Sequence, residues 1–254
     1  MKLAYRKYGS GQPLIILHGL FGQSDNWNTH AKLFAEQNFD VYTVDMRNHG
    51  LSPHSDDFSY QLMSDDVLEL ITDNNLKNIV LLGHSMGGKV AMLFAIEHPQ
   101  LLDKLIVADM APKYYPPHHT KIIAGLQAVD FNIIKSRKEV ESVLSNYISD
   151  MGTKQFLLKN LYWKNDTELA WRFNLKSIAE HIENMGEVTV STNSCETPAL
   201  FIRGEKSNYI LDADKILIKE LFTNSTFETI AGAGHWLHAD KPKEFFECVM
   251  SFIK

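Results

Sequence analysis

The feature that most constrains this chain is a serine held between glycines, Gly83-His84-Ser85-Met86-Gly87. It directly follows the apolar run Ile79-Val80-Leu81-Leu82 and directly precedes a helix-forming stretch, Lys89–Glu97. A serine at such a junction sits on a sharp, strained strand-to-helix turn, so the residues two before and two after it must be small. By composition alone Gly-x-Ser-x-Gly is expected in on the order of 0.05–0.1 chains of this length, and the strand-before, helix-after context narrows that further. Gly88 lets the following helix approach the sheet closely. The turn offers Ser85 as a nucleophile; the inert alternative is a glycine-rich turn with an idle serine.

An elbow of this kind needs a parallel sheet beneath it, and the chain supplies one. Short apolar, β-branched runs recur at Leu14–Leu17, Val41–Val44, Ile79–Leu82, Leu105–Ala108, Ala199–Ile202 and Phe227–Ile230, each closed by a turn signal. They are buried-strand signals, and helical patterns such as Tyr60–Leu76 lie between them. Alternation of strand and helix predicts right-handed crossovers and a doubly wound, mostly parallel α/β sheet. The charged, alternating segment Met1–Tyr8 reads as an edge strand. Residues 113–192 break the rhythm, being too long for one loop in a compact domain. Helical periodicity at Ile122–Val129, Lys138–Ile148, Lys154–Tyr162 and Leu175–Met185 predicts an inserted helical cap. The core is then 1–112 plus 193–254.

Composition excludes some roles. A net charge of −6 with no basic run argues against a general nucleic-acid partner. No apolar run approaches the roughly 18 residues that span a bilayer, and the N-terminus lacks the apolar core of a signal peptide. Cys195 and Cys248 form no metal or redox spacing. A cytoplasmic location without membrane insertion is the expectation. No metal, nucleotide or flavin signature is visible, so no cofactor is expected.

Ligands of doubly wound sheets bind beyond the carboxyl ends of the strands, and the remaining chemistry falls there. His235, on the glycine-rich loop Ala231-Gly232-Ala233-Gly234-His235-Trp236 before the final helix Lys241–Ile253, is the candidate base, since imidazole titrates near neutrality. His238 is its nearest competitor. Triads on such an elbow run in chain order serine, acid, histidine. The acid commonly follows the penultimate strand, yet Glu205-Lys206-Ser207 after Gly204 puts Ser207 where an aspartate is expected. Asp109, Glu205, Asp212 and Asp214 remain candidates. Asp109 is favoured because it ends the strand predicted beside the nucleophile's own, and neighbouring strands lie only about 5 Å apart. Asp212 and Asp214 resemble helix-capping residues. Backbone amides should form the oxyanion hole: Met86 after the nucleophile, and Leu20, with Phe21 as alternative, from the loop His18-Gly19-Leu20-Phe21-Gly22. His18 reads as a brace for that loop. Asp45-Met46-Arg47-Asn48-His49-Gly50-Leu51-Ser52 suits a tight structural corner. The pairs His118-His119 and His235-x-x-His238 lack the further ligands of a metal site.

Together these stretches resemble the α/β-hydrolase superfamily over essentially the whole chain. The Arg47-Asn48-His49-Gly50 corner, Asp109-Met110-Ala111-Pro112 and Trp171-Arg172-Phe173-Asn174 are most similar to the bacterial YbfF-like esterases and their mitochondrial abhydrolase relatives. The resemblance implies carboxylesterase activity on a small-molecule acyl ester, with acyl thioesters as further substrates, and the unusual acid position at Asp109. Candidate pocket residues are Phe21, Phe131, Trp163, Trp171 and Trp236, although the cap aromatics suit packing onto the core equally well. The same parts would serve a carbon–carbon bond hydrolase, a cofactor-free haloperoxidase, a menaquinone-pathway lyase or a catalytically idle binding protein.

Overall fold

The computed structural model describes residues 1–116, 119–187 and 193–254. His118 and the expected cap boundary at 192 lie outside them. Nine strands are present among the described residues: β1 (Tyr5–Gly9), β2 (Gln12–Leu17), β3 (Phe39–Val44), β4 (Ile79–His84), β5 (Leu102–Ala108), β6 (Leu161–Asn165), β7 (Glu168–Trp171), β8 (Ala199–Gly204) and β9 (Ser225–Ile230). Seven form one sheet in the order β1-β3-β2-β4-β5-β8-β9. β1 is antiparallel to β3, and the pairs β2–β3, β2–β4, β4–β5, β5–β8 and β8–β9 are parallel.

Five of the six apolar runs are buried because both faces of the sheet are covered there. β9 is instead a largely exposed edge strand in which only Ile230 is buried, which corrects the expectation of a buried strand at Phe227–Ile230. Leu14, Ile16, Val80, Leu82, Ile106 and Ile202 pack on one side against Phe34, Phe245 and Val249 of the helices Asn28–Ala35 and Pro242–Ile253. Their alternates Ile15, Leu17, Leu81, Leu105 and Val107 pack on the other side against Val67, Ile71, Val90 and Phe94 of the helices Tyr60–Asp73 and Met86–Glu97. The chain winds from β2 outward to β3, then returns to β4 on the opposite flank of β2. This reversal opens a crevice beyond the carboxyl ends of β2 and β4. The loop after β2 and the serine turn after β4 flank it.

The segment between β5 and β8 holds the helices Thr120–Gln127, Arg137–Ser145, Met151–Leu158 and Leu175–Glu180. Ser136, Asp150 and Asn174 cap three of them through side-chain bonds from the amides of Glu139, Thr153 and Ser177. Two expectations need correction. The helix predicted through Tyr162 ends at Leu158, and Leu161–Asn165 pairs with Glu168–Trp171 as an antiparallel hairpin. Here the β-favouring aromatics Tyr162 and Trp163 precede a turn in which Asn165 accepts from the Thr167 amide at 3.0 Å. The helix predicted through Met185 stops at Glu180 and is followed by a short 3₁₀ turn at Asn184–Gly186. Among the described residues no helix is long and apolar enough to cross a membrane.

Candidate active site

Ser85 sits in the left-handed region at φ +54°, and the glycines around it permit the turn. A Cβ at Gly83 would lie 2.1 Å from the Gly87 carbonyl oxygen, and one at Gly87 would lie 2.5 Å from that of Leu17. The Ser85 amide donates to Ala108 O at 3.1 Å, so the turn is fastened to the end of β5. Residue 109 follows immediately across the ladder, since His84 is in register with Ala108.

The loop after β9 brings His235 over this edge. His235 Nε2 stands 3.0 Å from Ser85 Oγ, and its Nδ1 stands 2.7 Å from Asp109 Oδ2. Asp109 is completely buried. Its carboxylate also accepts from the Gly204 amide at 3.2 Å and from the Ser207 hydroxyl. Ser207, at the position where an acid was expected, therefore donates to the carboxylate that stands one strand away. Tyr209 stacks on the His235 ring, centroids 3.8 Å apart and planes 14° from parallel.

The other acid candidates are engaged elsewhere. Glu205 accepts from the Gly232 amide at 2.7 Å and so holds the histidine loop. Asp214 pairs with Lys113 at 2.5 Å, and the exposed Asp212 pairs with Arg203 and Lys215. His238 does not join His235 at a common point. It is buried and stacks on Trp27 with centroids 4.2 Å apart.

The loop after β2 is braced from three directions. Buried His18 donates through Nδ1 to Gly19 O at 2.8 Å and accepts from the Met46 amide at 3.0 Å. His49 accepts from the Phe21 amide at 3.1 Å, and Asn160 donates to Phe21 O at 2.8 Å. Phe21 N–H is thus committed, whereas Leu20 and Met86 N–H donate to no protein acceptor among the described residues. Two unspent amides beside the serine are what an oxyanion hole requires. Neither His49 nor Asn160 was singled out for this loop in the sequence. The corner motif marks His49, whereas nothing local marks Asn160.

Three histidines of this framework are held neutral. Burial, the largest cause, pushes His18 down to about 4, and it pushes His49 and His84 down to about 3, with nearby histidines adding to the effect. Unfolded, each titrates near 6.5. The folded values are depressed, so between about pH 6.5 and 4 the unfolded chain binds more protons, and stability falls as pH falls. Each ring adds to that loss of stability wherever it is charged only in the unfolded chain. Urea melts followed by tryptophan fluorescence are expected to show a steep loss of stability between pH 6 and 4.5. A flat profile across that window is incompatible with neutral, buried rings.

A cavity of about 270 Å³ opens at Ser85 and is lined by Leu20, Phe21, Trp27, Phe156, His235 and Trp236, among others. A second, of about 30 Å³, reaches Ser85 from the Met86 side and is lined chiefly by Met110, Tyr115, Ile182, Met185 and Tyr209. Of the predicted pocket residues, Phe21 and Trp236 line the larger space. Three do not line either cavity, which corrects the expectation. Trp163 points outward from the hairpin and is 55% exposed. Trp171 is buried, stacked on Phe173, with Phe131 packed edge-on against it. Their aromatic surface holds the inserted segment together. Phe156, packed on Trp236 at 5.5 Å, lies in the wall instead.

Residues 12–132 match the family described as the alpha/beta hydrolase fold. The chain is 38% identical to the sn-1-specific diacylglycerol lipase ABHD11 of Mus musculus, over 94% of this chain and 80% of that protein. It is 31% identical to esterase YbfF of Escherichia coli, over 96% of this chain and 94% of that protein. A solved structure described as a marine microorganism esterase superposes with a TM-score of 0.97 at 46% identity, covering both chains completely.

Proposed function

The chain belongs to the α/β-hydrolase fold family, and on that premise we propose that it is a serine carboxylesterase acting through an acyl-enzyme on Ser85. That it is a hydrolase follows from relatives named as esterases and lipases; the catalytic roles and the substrate are this proposal. One observation carries it: the unbroken series Ser85 Oγ, His235, Asp109, with 3.0 Å and 2.7 Å contacts. Ser85 attacks the ester carbonyl while His235 Nε2 takes its proton. Asp109 holds the imidazole in the tautomer that leaves Nε2 free to accept, and it stabilises the imidazolium. The Leu20 and Met86 amides receive the oxyanion, each contributing about 3–4 kcal/mol to the transition state. His235 then protonates the departing alcohol, and water releases the acyl group by the same steps. The helices and hairpin between β5 and β8 act as a cap over this crevice, with Phe156 in the wall.

The direct test is a fluorophosphonate probe followed by peptide mapping, run beside hydrolysis of p-nitrophenyl esters and acyl-CoA thioesters. The expected adduct is on Ser85 alone, and its formation parallels the loss of ester turnover. A chain that turns over esters with no adduct on Ser85 defeats the mechanism. A chain that does neither is an idle scaffold.

A further inference from the structure

Ser85 stands between two cavities of very unequal size, and the chemistry of the proposed ester cleavage decides which half of a substrate enters each. The departing oxygen must lie within hydrogen-bond reach of the proton on His235 Nε2. Tyr209 covers one face of the His235 ring at a centroid distance of 3.8 Å. His235 itself lines the larger cavity and is absent from the walls of the smaller one. The leaving group therefore belongs in the space of about 270 Å³. With the carbonyl oxygen turned to the Leu20 and Met86 amides, the acyl chain is directed to the opposite side, into the space of about 30 Å³ bordered by Met86, Met110, Ile182 and Met185.

That acyl side is confined by more than soft methionines. Met185 O accepts from the Tyr60 hydroxyl at 2.8 Å. The next carbonyl, Gly186, accepts from the Tyr115 amide at 2.8 Å and from the Lys89 ammonium at 3.0 Å. Lys89 is completely buried, four residues along the elbow helix from Ser85, and lies near the Tyr60 and Tyr115 rings. The wall behind the acyl site is thus tied to the same helix that carries the nucleophile. A cavity of this size holds roughly one or two water-sized groups, which is room for a methyl or an ethyl.

We propose that the enzyme selects esters of short acyl groups, about two to three carbons, joined to bulky alcohols or phenols, and that Met185 and Ile182 set the acyl limit. The proposal rests on the esterase reading above. Its test is two substrate series on the intact chain. Among p-nitrophenyl esters, kcat/KM is expected to be highest for acetate or propionate and to fall by roughly tenfold or more by hexanoate, because each further methylene must displace packed wall atoms. Between phenyl acetate and 1-naphthyl acetate, whose leaving groups are similarly acidic, it is expected to change only a few-fold. Met185→Ala and Ile182→Ala are each expected to raise the hexanoate-to-acetate ratio by several-fold or more, a ratio that cancels any general loss of active enzyme. Hexanoate turned over as fast as acetate by the wild-type chain, or a collapse on 1-naphthyl acetate, overturns the assignment. Absence of hydrolysis in both series together with an unlabelled Ser85 defeats the esterase reading itself, and this inference with it.

Discussion

Ser85→Ala is expected to lower kcat for p-nitrophenyl acetate by about a millionfold, with the fold intact. The size follows from how such sites fail. Nucleophile and base act as one unit, so removing either costs about as much as removing all three partners, roughly 10⁶ in kcat. What survives is positioning and the oxyanion amides, on the order of 10³ over water. The fold should not suffer, because alanine keeps the Cβ that the turn already accommodates at φ +54°. The strain of that backbone is set by the glycines around it and by the amide bond to Ala108. Adding Asp109→Asn to Ser85→Ala should cost almost nothing more. An additive loss in the double variant argues that Asp109 works apart from the serine.

The second large effect is Asp109→Asn alone, which is expected to cut kcat about ten-thousandfold. An amide at this point can turn its NH₂ to the ring and hold the wrong tautomer, leaving Nε2 unable to accept the serine proton. Asp212→Asn and Asp214→Asn serve as controls and should stay within a few-fold of wild type, since both pair with surface-side cations. Ser207→Ala belongs in the same set. Its hydroxyl donates to the Asp109 carboxylate, and its loss is expected to cost on the order of tenfold. Near-normal turnover in Asp109→Asn would return the acid to the loop after β8.

The sheet was legible because covered parallel strands must be apolar throughout, and five such runs end in turn residues; the edge strand β9 is half polar and largely exposed. The elbow was legible because its geometry tolerates so few residue types. Asp109 could be favoured over three rivals by reasoning from strand adjacency, but its reach to His235 depends on how the last loop folds, which no local pattern encodes. The pocket was less readable. Trp163, Trp171 and Phe131 have the composition of a pocket wall, yet Trp171 and Phe131 serve the insert's own packing and Trp163 faces outward, because composition does not say which way a ring faces. The corner motif marks His49 but not the loop it braces, and nothing local marks Asn160, since each acts on a backbone group far away in the chain.

Asn160 has a consequence for descent and engineering. It belongs to the insert, yet its amide grips the carbonyl of Phe21 in the loop that offers Leu20 N–H. The insert is therefore not an interchangeable lid that evolution, or a protein engineer, can trade for another without loss. A chimera carrying a foreign insert inherits the serine, the histidine and the acid, but it loses one of the three braces on the loop that carries Leu20. Recombination within this fold should then favour exchanging the insert together with the loop after β2, as one inherited unit.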